Sequence, residues 1–349
     1  MRLLTHHLLA AMTLVLAACG GRAVIDEPVV EGVVLLHQGD APFYDIVVAG
    51  EHVYWTRYGY ERGAVMRCPK AGCPDGPTSI APSASDDTTR DPRSLAADDT
   101  RLYWVDLNTG PEVTSRTVSA CRHPDCDDVE VVATSPAADV AVLDGELFMA
   151  IGYPDAGIAR CPASGCEGSP VTTLGQWLPP PFRVVAAEGF VAFSVLGSNA
   201  SGPAAPLVGG CPASGCGDAP AIYLDRGLGG DVALDDSHAY FVAMDANGTR
   251  GVWRCPKLGC DGDGPDLLYE SDTVVSALVV DDDRVYLAAY VGPDADSGTN
   301  VVSCPKSGCV EAAMLHGSDP QSVVRMTQDD EHLFWIGGRN DARIMRAPK

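Results

Sequence analysis

Short apolar runs separated by polar turns recur along most of the chain, without helical spacing. Each cycle starts with a run rich in Val, Ala and Leu, such as 46–48 or 232–234. An Asp-rich turn and a run with adjacent aromatic residues, such as 53–56, come next. A third run ends in a Cys-Pro turn, and a fourth run follows it. Short apolar runs bounded by Gly, Pro and Asp predict strands, so each cycle predicts four β-strands.

The cysteines mark the length of this cycle. Twelve of the thirteen fall into six pairs with one spacing: Cys68 and Cys73, Cys121 and Cys126, Cys161 and Cys166, Cys211 and Cys216, Cys255 and Cys260, Cys304 and Cys309. The first cysteines of successive pairs are 53, 40, 50, 44 and 49 residues apart, and a seventh cycle has Ala347 at the cysteine position. Four short strands per cycle of this length predict an all-β, seven-bladed β-propeller over residues 33–349.

Closure of the ring is expected to involve both ends of this domain. The seventh cycle contains three predicted strands before Lys349, and the apolar segment 33–37 precedes the first strand of the first cycle. We expect this segment to pair with the last blade as its fourth strand, which removes two open sheet edges. The third and fourth strands of that blade are then not joined by a turn, so no cystine is expected there.

The first 18 residues have the features of a signal peptide. Arg2 supplies a positive charge, residues 8–18 are apolar, and the sequence Leu-Ala-Ala-Cys at 16–19 follows. This resembles the bacterial lipobox, in which the cysteine becomes the lipidated first residue. The resemblance implies that Cys19 is lipidated, that 19–32 form a linker, and that the protein is held at the cell envelope by lipid, with Gly20 favouring the outer membrane. The alternative is an ordinary secretory signal cleaved after Ala18.

Export decides how the paired cysteines are interpreted. An exported chain meets an oxidising environment, so the six pairs predict six disulfides, each closing the hairpin between the third and fourth strands. Zinc is the alternative, but it requires four ligands, and each pair here lies on its own blade.

Two motifs resemble known propeller repeats. Residues 52–73 and 101–106 resemble the Tyr-Trp-Thr-Asp repeat of lipoprotein-receptor propellers, with 53–56 the best match. The receptor family has six blades, whereas this sequence has seven units. The chain is also similar to bacterial propeller lipoproteins that carry an Arg-Cys-Pro-x-x-Gly-Cys turn. Both resemblances imply a propeller that binds proteins or sugars.

Charge and composition restrict the partners. The formal net charge is −23, and 46% of the residues are hydrophobic. A strongly acidic globular protein repels nucleic acid and anionic headgroups, so no nucleic-acid partner is expected and membrane contact is expected only through the lipid.

No catalytic motif stands out, and the aromatic pairs of the second strands are expected to be core. His52, His238 and His332 share one repeat position and are interpreted as exposed turn residues.

At the starts of the inner strands, the aligned residues are Asp45, Ser94, Asp139, Arg183, Asp231, Ala277 and Arg325. This ring is interpreted either as a site for a polar ligand or cation, or as a solvated channel rim. Segments 245–248 and 294–298 have calcium-loop character, so Ca²⁺ is the one cofactor considered.

The resulting hypothesis is a monomeric, non-enzymatic scaffold that presents variable loops to an envelope protein or glycan. The alternative is a propeller hydrolase or lyase with a divalent ion in the central channel, with Asp45, Asp139 or Asp231 as metal ligands or as bases.

Overall fold

The structure is a computed structural model, and it describes residues 30–349 except 60–62, 83–88, 110–113, 153–155, 167–171, 177–179, 196–207, 217–219, 226–227, 261–263, 310–312 and 339–340. The expected signal peptide and Cys19 lie outside the described residues. Among those described, no helix has the length and apolar character needed to cross a membrane.

The chain forms seven antiparallel sheets of four strands, which confirms the predicted architecture. Blades 1 to 3 consist of β2(Phe43–Ala49), β3(His52–Arg57), β4(Ala64–Pro69) and β5(Thr78–Pro82); β6(Thr89–Ala97), β7(Arg101–Thr109), β8(Thr114–Arg122) and β9(Glu130–Thr134); and β10(Ala137–Leu143), β11(Glu146–Ile151), β12(Gly157–Pro162) and β13(Thr172–Gln176). Blade 4 consists of β14(Pro181–Ala187), β15(Phe190–Val195), β16(Val208–Pro212) and β17(Ala221–Leu224).

The remaining blades repeat this order. Blade 5 consists of β18(Leu228–Leu234), β19(His238–Met244), β20(Arg250–Pro256) and β21(Asp266–Glu270), and blade 6 of β22(Val275–Val280), β23(Arg284–Tyr290), β24(Thr299–Pro305) and β25(Met314–Asp319). Blade 7 contains β26(Val323–Gln328), β27(His332–Gly337), β28(Arg343–Pro348) and β1(Val34–Gln38). The one helical segment described is a 3₁₀ turn at Ala295–Ser297.

The N-terminal strand closes the ring, as the apolar pattern predicted. β1 pairs antiparallel with β28, with Val34 opposite Arg346 and Gln38 opposite Arg343. The strand lies one residue later than the segment 33–37. Because the first and last described strands share one sheet, opening the ring would break backbone hydrogen bonds between the two ends of the domain.

The core lies between blades and is divided into seven apolar layers. Neighbouring residues on a strand point to opposite faces, so the adjacent aromatic pairs of the second strands in blades 1, 2, 5 and 7 place one ring in each of the two adjoining layers. The second strands of blades 3 and 6 place an aromatic ring in one layer and aliphatic side chains in the other. Tyr54 packs in the layer between blades 1 and 2, whereas Trp55 packs between blades 7 and 1. Both are fully buried, which confirms that the aromatic pairs are core.

The six predicted disulfides are present, one in each of blades 1 to 6. Their Cα–Cα distances lie between 4.8 and 5.5 Å, within the range that a disulfide requires. The second cysteine of the hairpin also contacts the preceding blade: the N–H of Cys166 donates to the carbonyl of Val132 at 2.7 Å, and that of Cys309 to Leu268 at 2.9 Å. The cystine turns therefore both staple a hairpin and join two blades.

The arginine of the Arg-Cys-Pro motif reaches forward to the next blade. Its guanidinium donates to a carbonyl in the neighbouring hairpin in three places: Arg67 to Pro124, Arg160 to Ala213, and Arg254 to Lys306. In blade 7, where Ala347 replaces the cysteine, Arg346 donates to Lys70 in the same way. Hydrogen bonds with one charged partner are stronger than neutral ones. The motif therefore joins blades as well as shaping a turn.

The lysine of the same turn reaches back to the preceding blade. Lys306 Nζ lies 2.7 Å from the carboxylate of Asp235, and the same contact joins Lys70 to Asp329 at 2.9 Å and Lys349 to Asp281 at 3.0 Å. Each of these aspartates also accepts backbone N–H groups of its own turn. Burial acts to raise the pKa of Asp235, but hydrogen bonds from Lys306, Tyr240 and the backbone outweigh it and hold that pKa far below its usual range.

The histidines of the repeat are half-buried, so their interpretation as exposed turn residues is wrong. Each ring lies about 6 Å from the aromatic ring two positions later, at 6.0 Å from His52 to Tyr54 and 6.2 Å from His238 to Tyr240. Residues i and i+2 share one face of a strand, which explains the packing. His332 lies 6.1 Å from Phe334 in the same way.

Candidate binding face and central channel

The two faces of the ring differ in what they carry. The Asp turns and the cystine hairpins lie on one face, which we call the cystine face. The connections between second and third strands, and between one blade and the next, lie on the other, which we call the loop face. This division follows from the alternating direction of the four strands in every blade.

The seven aligned positions of the inner ring lie at or beside a bulge in the first strand of each blade. The register of every first strand shifts there relative to the second strand. A bulge redirects a side chain out of the regular alternation of the sheet. Here it turns the side chain of one blade toward the backbone of the next.

Four of these side chains bond the following blade. The N–H of Leu95 donates to Asp45 at 2.9 Å, and the N–H of Val184 donates to Asp139 at 2.8 Å. In the same way Val140 donates to Ser94 at 3.2 Å, and Leu278 to Asp231 at 3.0 Å. The four acceptor residues are all buried, with exposures of 2–6%. Each therefore satisfies a backbone donor that lies beside the bulge of the next blade.

Arg183 links three of the acidic members across the ring. Its Nε lies 3.0 Å from Asp231, and its Nη1 lies 3.4 Å from Asp139 and 3.8 Å from Asp45. Arg325 approaches Asp45 from the other side at 3.7 Å. Burial acts to lower the pKa of Arg183, but the charges of Asp139, Asp231 and Asp45 outweigh it and raise that pKa. Burial raises the pKa of Asp45, against the opposing charges of Arg183 and Arg325.

The structure thus brings the predicted ring together, but as a bonded cluster. Its interpretation as a solvated channel rim is wrong, because the bulges direct Asp45, Ser94, Asp139 and Asp231 into contacts with the next blade. Ala277, the sixth position, is fully buried. A role of the ring in ligand binding stays a prediction. Within the described ranges, no three His, Cys, Asp or Glu side chains are grouped to hold one metal ion.

In the two segments with calcium-loop character, the oxygens of Asp245 and Asp294 accept backbone N–H groups of the same loop. Asp245 Oδ1 accepts the N–H groups of Asn247 at 2.9 Å and Thr249 at 2.8 Å. The second segment forms the 3₁₀ turn, in which the N–H of Ser297 donates to the carbonyl of Asp294 at 3.0 Å. These contacts account for the Asp-rich composition through turn formation.

Beside the inner ring, a cavity of about 480 Å³ lies on the loop face over blades 1 to 3, with Phe182 of blade 4 and Arg325 of blade 7 completing its lining. Its lining residues are Tyr44, Asp45, Arg93, Ser94, Val105, Leu107, Arg116, Ala138, Asp139, Phe182 and Arg325. Sequence reasoning found the acidic floor of this cavity, but it missed Tyr44, Arg93, Arg116 and Phe182. Tyr44, Arg93 and Phe182 immediately precede ring positions, which is a signal that the alignment already contained.

Two further cavities are lined chiefly by loop-face ends of strands. One, of about 600 Å³, lies at the closure between blades 7 and 1 and includes His37, Phe43 and Trp55. The other, of about 220 Å³, lies between blades 5 and 6 and includes Gly230, Met244 and Val275.

The fold and these contacts define a seven-bladed β-propeller. The chain is similar to the β-propeller domain of the Trilobed protease from Pyrococcus furiosus (TM-score 0.59, 8% identity, 89% of this chain and 94% of that one). It is also similar to the WD40 β-propeller domain of Doa1 (TM-score 0.59, 12% identity, 91% and 97%). A Mycobacterium tuberculosis puromycin-hydrolyzing peptidase matches at a TM-score of 0.58 and 14% identity, over 88% of this chain and 52% of that one.

At these identities the likeness shows the fold alone. No family model matches the sequence, and no curated protein matches it. The similarity to the Tyr-Trp-Thr-Asp repeats therefore stays a prediction.

Proposed function

We propose that the protein is a lipid-anchored propeller of the bacterial cell envelope that binds a protein or glycan partner through its loop face, without catalysing a reaction. The observation that carries this proposal is that the two faces of the ring differ in what their residues contact. The polar residues of the inner ring and the cystine face bond neighbouring blades, whereas the described cavities are lined chiefly at the loop face.

The contacts of the channel carboxylates support a structural role for them. Asp45, Asp139 and Asp231 each accept a backbone N–H of the next blade, and each lies within 3.8 Å of Arg183. A carboxylate that acts as a base or a metal ligand needs a lone pair directed at its substrate or ion. Here both oxygens of Asp45 and Asp139 already accept hydrogen bonds from the protein.

The loop face is the part of the molecule that is least constrained by the repeat. Its connections differ in length from blade to blade, and binding residues commonly lie on variable loops held by a rigid frame. The frame here is stiffened by six cystines and by the charged contacts between blades. A lipid at Cys19 would hold this frame at the membrane through the linker that precedes β1.

A retention experiment with matched variants tests this proposal. Full-length protein, purified in detergent and immobilised, is incubated with an envelope extract. The loop-face variant carries Ala246→Arg and Asp296→Arg; the control carries Leu258→Arg and Asp282→Arg on the cystine face. All four positions are exposed, and both pairs change the charge by the same amount.

We expect the wild type and the control to retain a partner that the loop-face variant loses. Treating the extract with protease or with glycosidases then identifies the class of that partner. Equal retention by both variants would contradict the proposal, and so would catalytic turnover without any retained partner.

A further inference from the structure

We propose that the loop-face cavity over blades 1 to 3 binds the carboxylate of a small organic anion, with the rest of the ligand lying against aromatic and aliphatic side chains. This inference rests on the proposed function, because it assigns a ligand class to one site on the same face. Three arginines line the cavity, against two aspartates, in a protein whose net charge is −23.

The acceptors at the floor of the cavity are already used. Asp139 accepts from the hydroxyl of Ser94 and from the N–H of Val184. Asp45 accepts from the N–H groups of Ile46 and Leu95, and it faces Arg183 and Arg325. A positively charged ligand would therefore have to displace existing partners of both aspartates.

The arginine N–H groups around the cavity make fewer hydrogen bonds to the protein than the aspartate oxygens do. Arg116 is exposed, and the one side-chain hydrogen bond found for it among the described residues runs from Nη1 to the carbonyl of Ala137, at 3.0 Å. Arg325 has its Nε turned to the carboxylate of Asp45, at 3.7 Å, and its Nη1 lies 3.5 Å from the carbonyl of Val324. A guanidinium carries five N–H donors, so both side chains retain capacity for an anionic acceptor.

Arg93 is held in place at the edge of the cavity. Its Nε lies 2.8 Å from the carboxylate of Asp91. Its guanidinium carbon lies 4.6 Å from the ring centre of Tyr44 and 4.8 Å from that of Tyr58. Ion pairing and stacking on two rings fix this cation before any ligand arrives, and a fixed group loses less conformational entropy on binding.

The remaining wall is apolar. Tyr44, Val105, Leu107 and Phe182 line it. Cavities of this size, about 480 Å³, suit a small molecule, with a few polar groups setting its orientation. Arginine matches a carboxylate through two parallel hydrogen bonds. The combination therefore selects an acid carried on a sugar ring, an aromatic ring or a short carbon chain.

Calorimetric titration of the full-length protein in detergent tests the assignment with two pairs of probes. D-glucuronate is compared with D-glucose, and N-acetyl-L-phenylalanine with its amide, so the two pairs separate a sugar acid from a peptide-like carboxylate. We expect at least one acid to bind about tenfold or more tightly than its neutral counterpart, as one charge-assisted pair implies. Arg116→Gln should remove that difference.

The control is Arg122→Gln, which alters an exposed arginine of the same strand, β8, at its cystine-face end. It should leave the preference for the acid unchanged, and thermal unfolding should show that both variants fold. If neither acid exceeds its neutral counterpart, or if Arg116→Gln keeps the preference, the inference is wrong. If the envelope extract still yields a retained partner in that case, the proposed function is not affected. If the extract yields no retained partner while the calorimetric preference for an acid is present, the proposed function is contradicted and the ligand class is not.

Discussion

Replacing Arg183 with methionine tests the bonded cluster of the inner ring. The variant removes a guanidinium that lies 3.0 Å from Asp231, 3.4 Å from Asp139 and 3.8 Å from Asp45. The Arg183 side chain is 14% exposed, and the three carboxylates are less exposed still. Methionine fills much of the same volume, so the change is mainly one of charge.

The expected loss of unfolding free energy depends on the hydrogen bonds that the three carboxylates retain after the guanidinium is removed. Removing one partner of a buried ion pair costs about 3–5 kcal/mol, because the other charge stays buried. Each carboxylate here retains a backbone N–H donor, which places the expected loss of unfolding free energy near the lower end, at about 3 kcal/mol. For a protein of this size, that corresponds to a fall in Tm of about 4 °C.

The loss should also depend on pH. Burial raises the pKa of Asp45, and the charge of Arg183 opposes that shift. Without Arg183 the pKa of Asp45 rises further in the folded state. A raised folded pKa means that the contribution to stability is complete below the unfolded pKa, about 4, and is lost as pH rises through the folded value. The variant should therefore be most destabilised at neutral pH and recover toward the wild type at acidic pH.

Urea unfolding at pH 7 and at pH 5, followed by tryptophan fluorescence, measures this prediction. Arg122→Met is the control, since that side chain is 79% exposed and should cost little. A variant of Arg183 as stable as the wild type at pH 7 would refute the reasoning, and so would a loss of equal size at both pH values.

Three further predictions concern the contacts between blades and the anchor. Lys306→Met should lower the unfolding free energy, because the carboxylate of Asp235 loses its ion-pair partner. Lys257→Met should be neutral or stabilising, since the buried Lys257 Nζ has no hydrogen-bond partner in the described chain. Equal losses of unfolding free energy in urea would contradict this contrast. Intact mass before and after alkylation should show no reactive thiol among the twelve propeller cysteines, and reduction should lower Tm, each bond contributing about 2 kcal/mol; free thiols in the oxidised protein would refute it. Cys19→Ala should release the protein from membranes in a flotation assay, and continued flotation would refute lipidation.

The repeat could be predicted from the sequence because two independent landmarks recur in step. The aromatic pair of the second strand and the cystine turn each mark one position per blade, so even blade 4 was placed from Phe193 and Cys211. Segment 33–37 was assigned to the last blade because that unit lacked one strand. In each case the prediction needed only strand order and spacing.

The contacts of the ring could not be predicted in the same way. Alignment gave the positions of Asp45 and Arg183 around the axis, but strand alternation alone does not say whether a side chain faces the channel or the next blade. A bulge decides that direction, and it depends on the local register between two strands. The interpretation as a solvated rim failed for this reason.

A signal for the charged contacts between blades was present but easily overlooked. For three of the four turn lysines, the blade before their own has an Asp turn between its first and second strands. Lys306 of blade 6, for example, pairs with Asp235 in the turn of blade 5. Lys257 follows blade 4, where the two-residue turn Glu188–Gly189 replaces the Asp turn. Reading each turn together with the previous blade, instead of its own, would have revealed this pairing.

Hydrogen–deuterium exchange of the full-length protein, with and without the partner retained from the envelope extract, tests most directly whether the two faces have separate roles. We expect binding to slow amide exchange on the loop face, in segments 245–251 and 291–298, and to leave the cystine turns at 70–76 and 257–260 unchanged. Slowed exchange confined to the cystine turns would contradict the account.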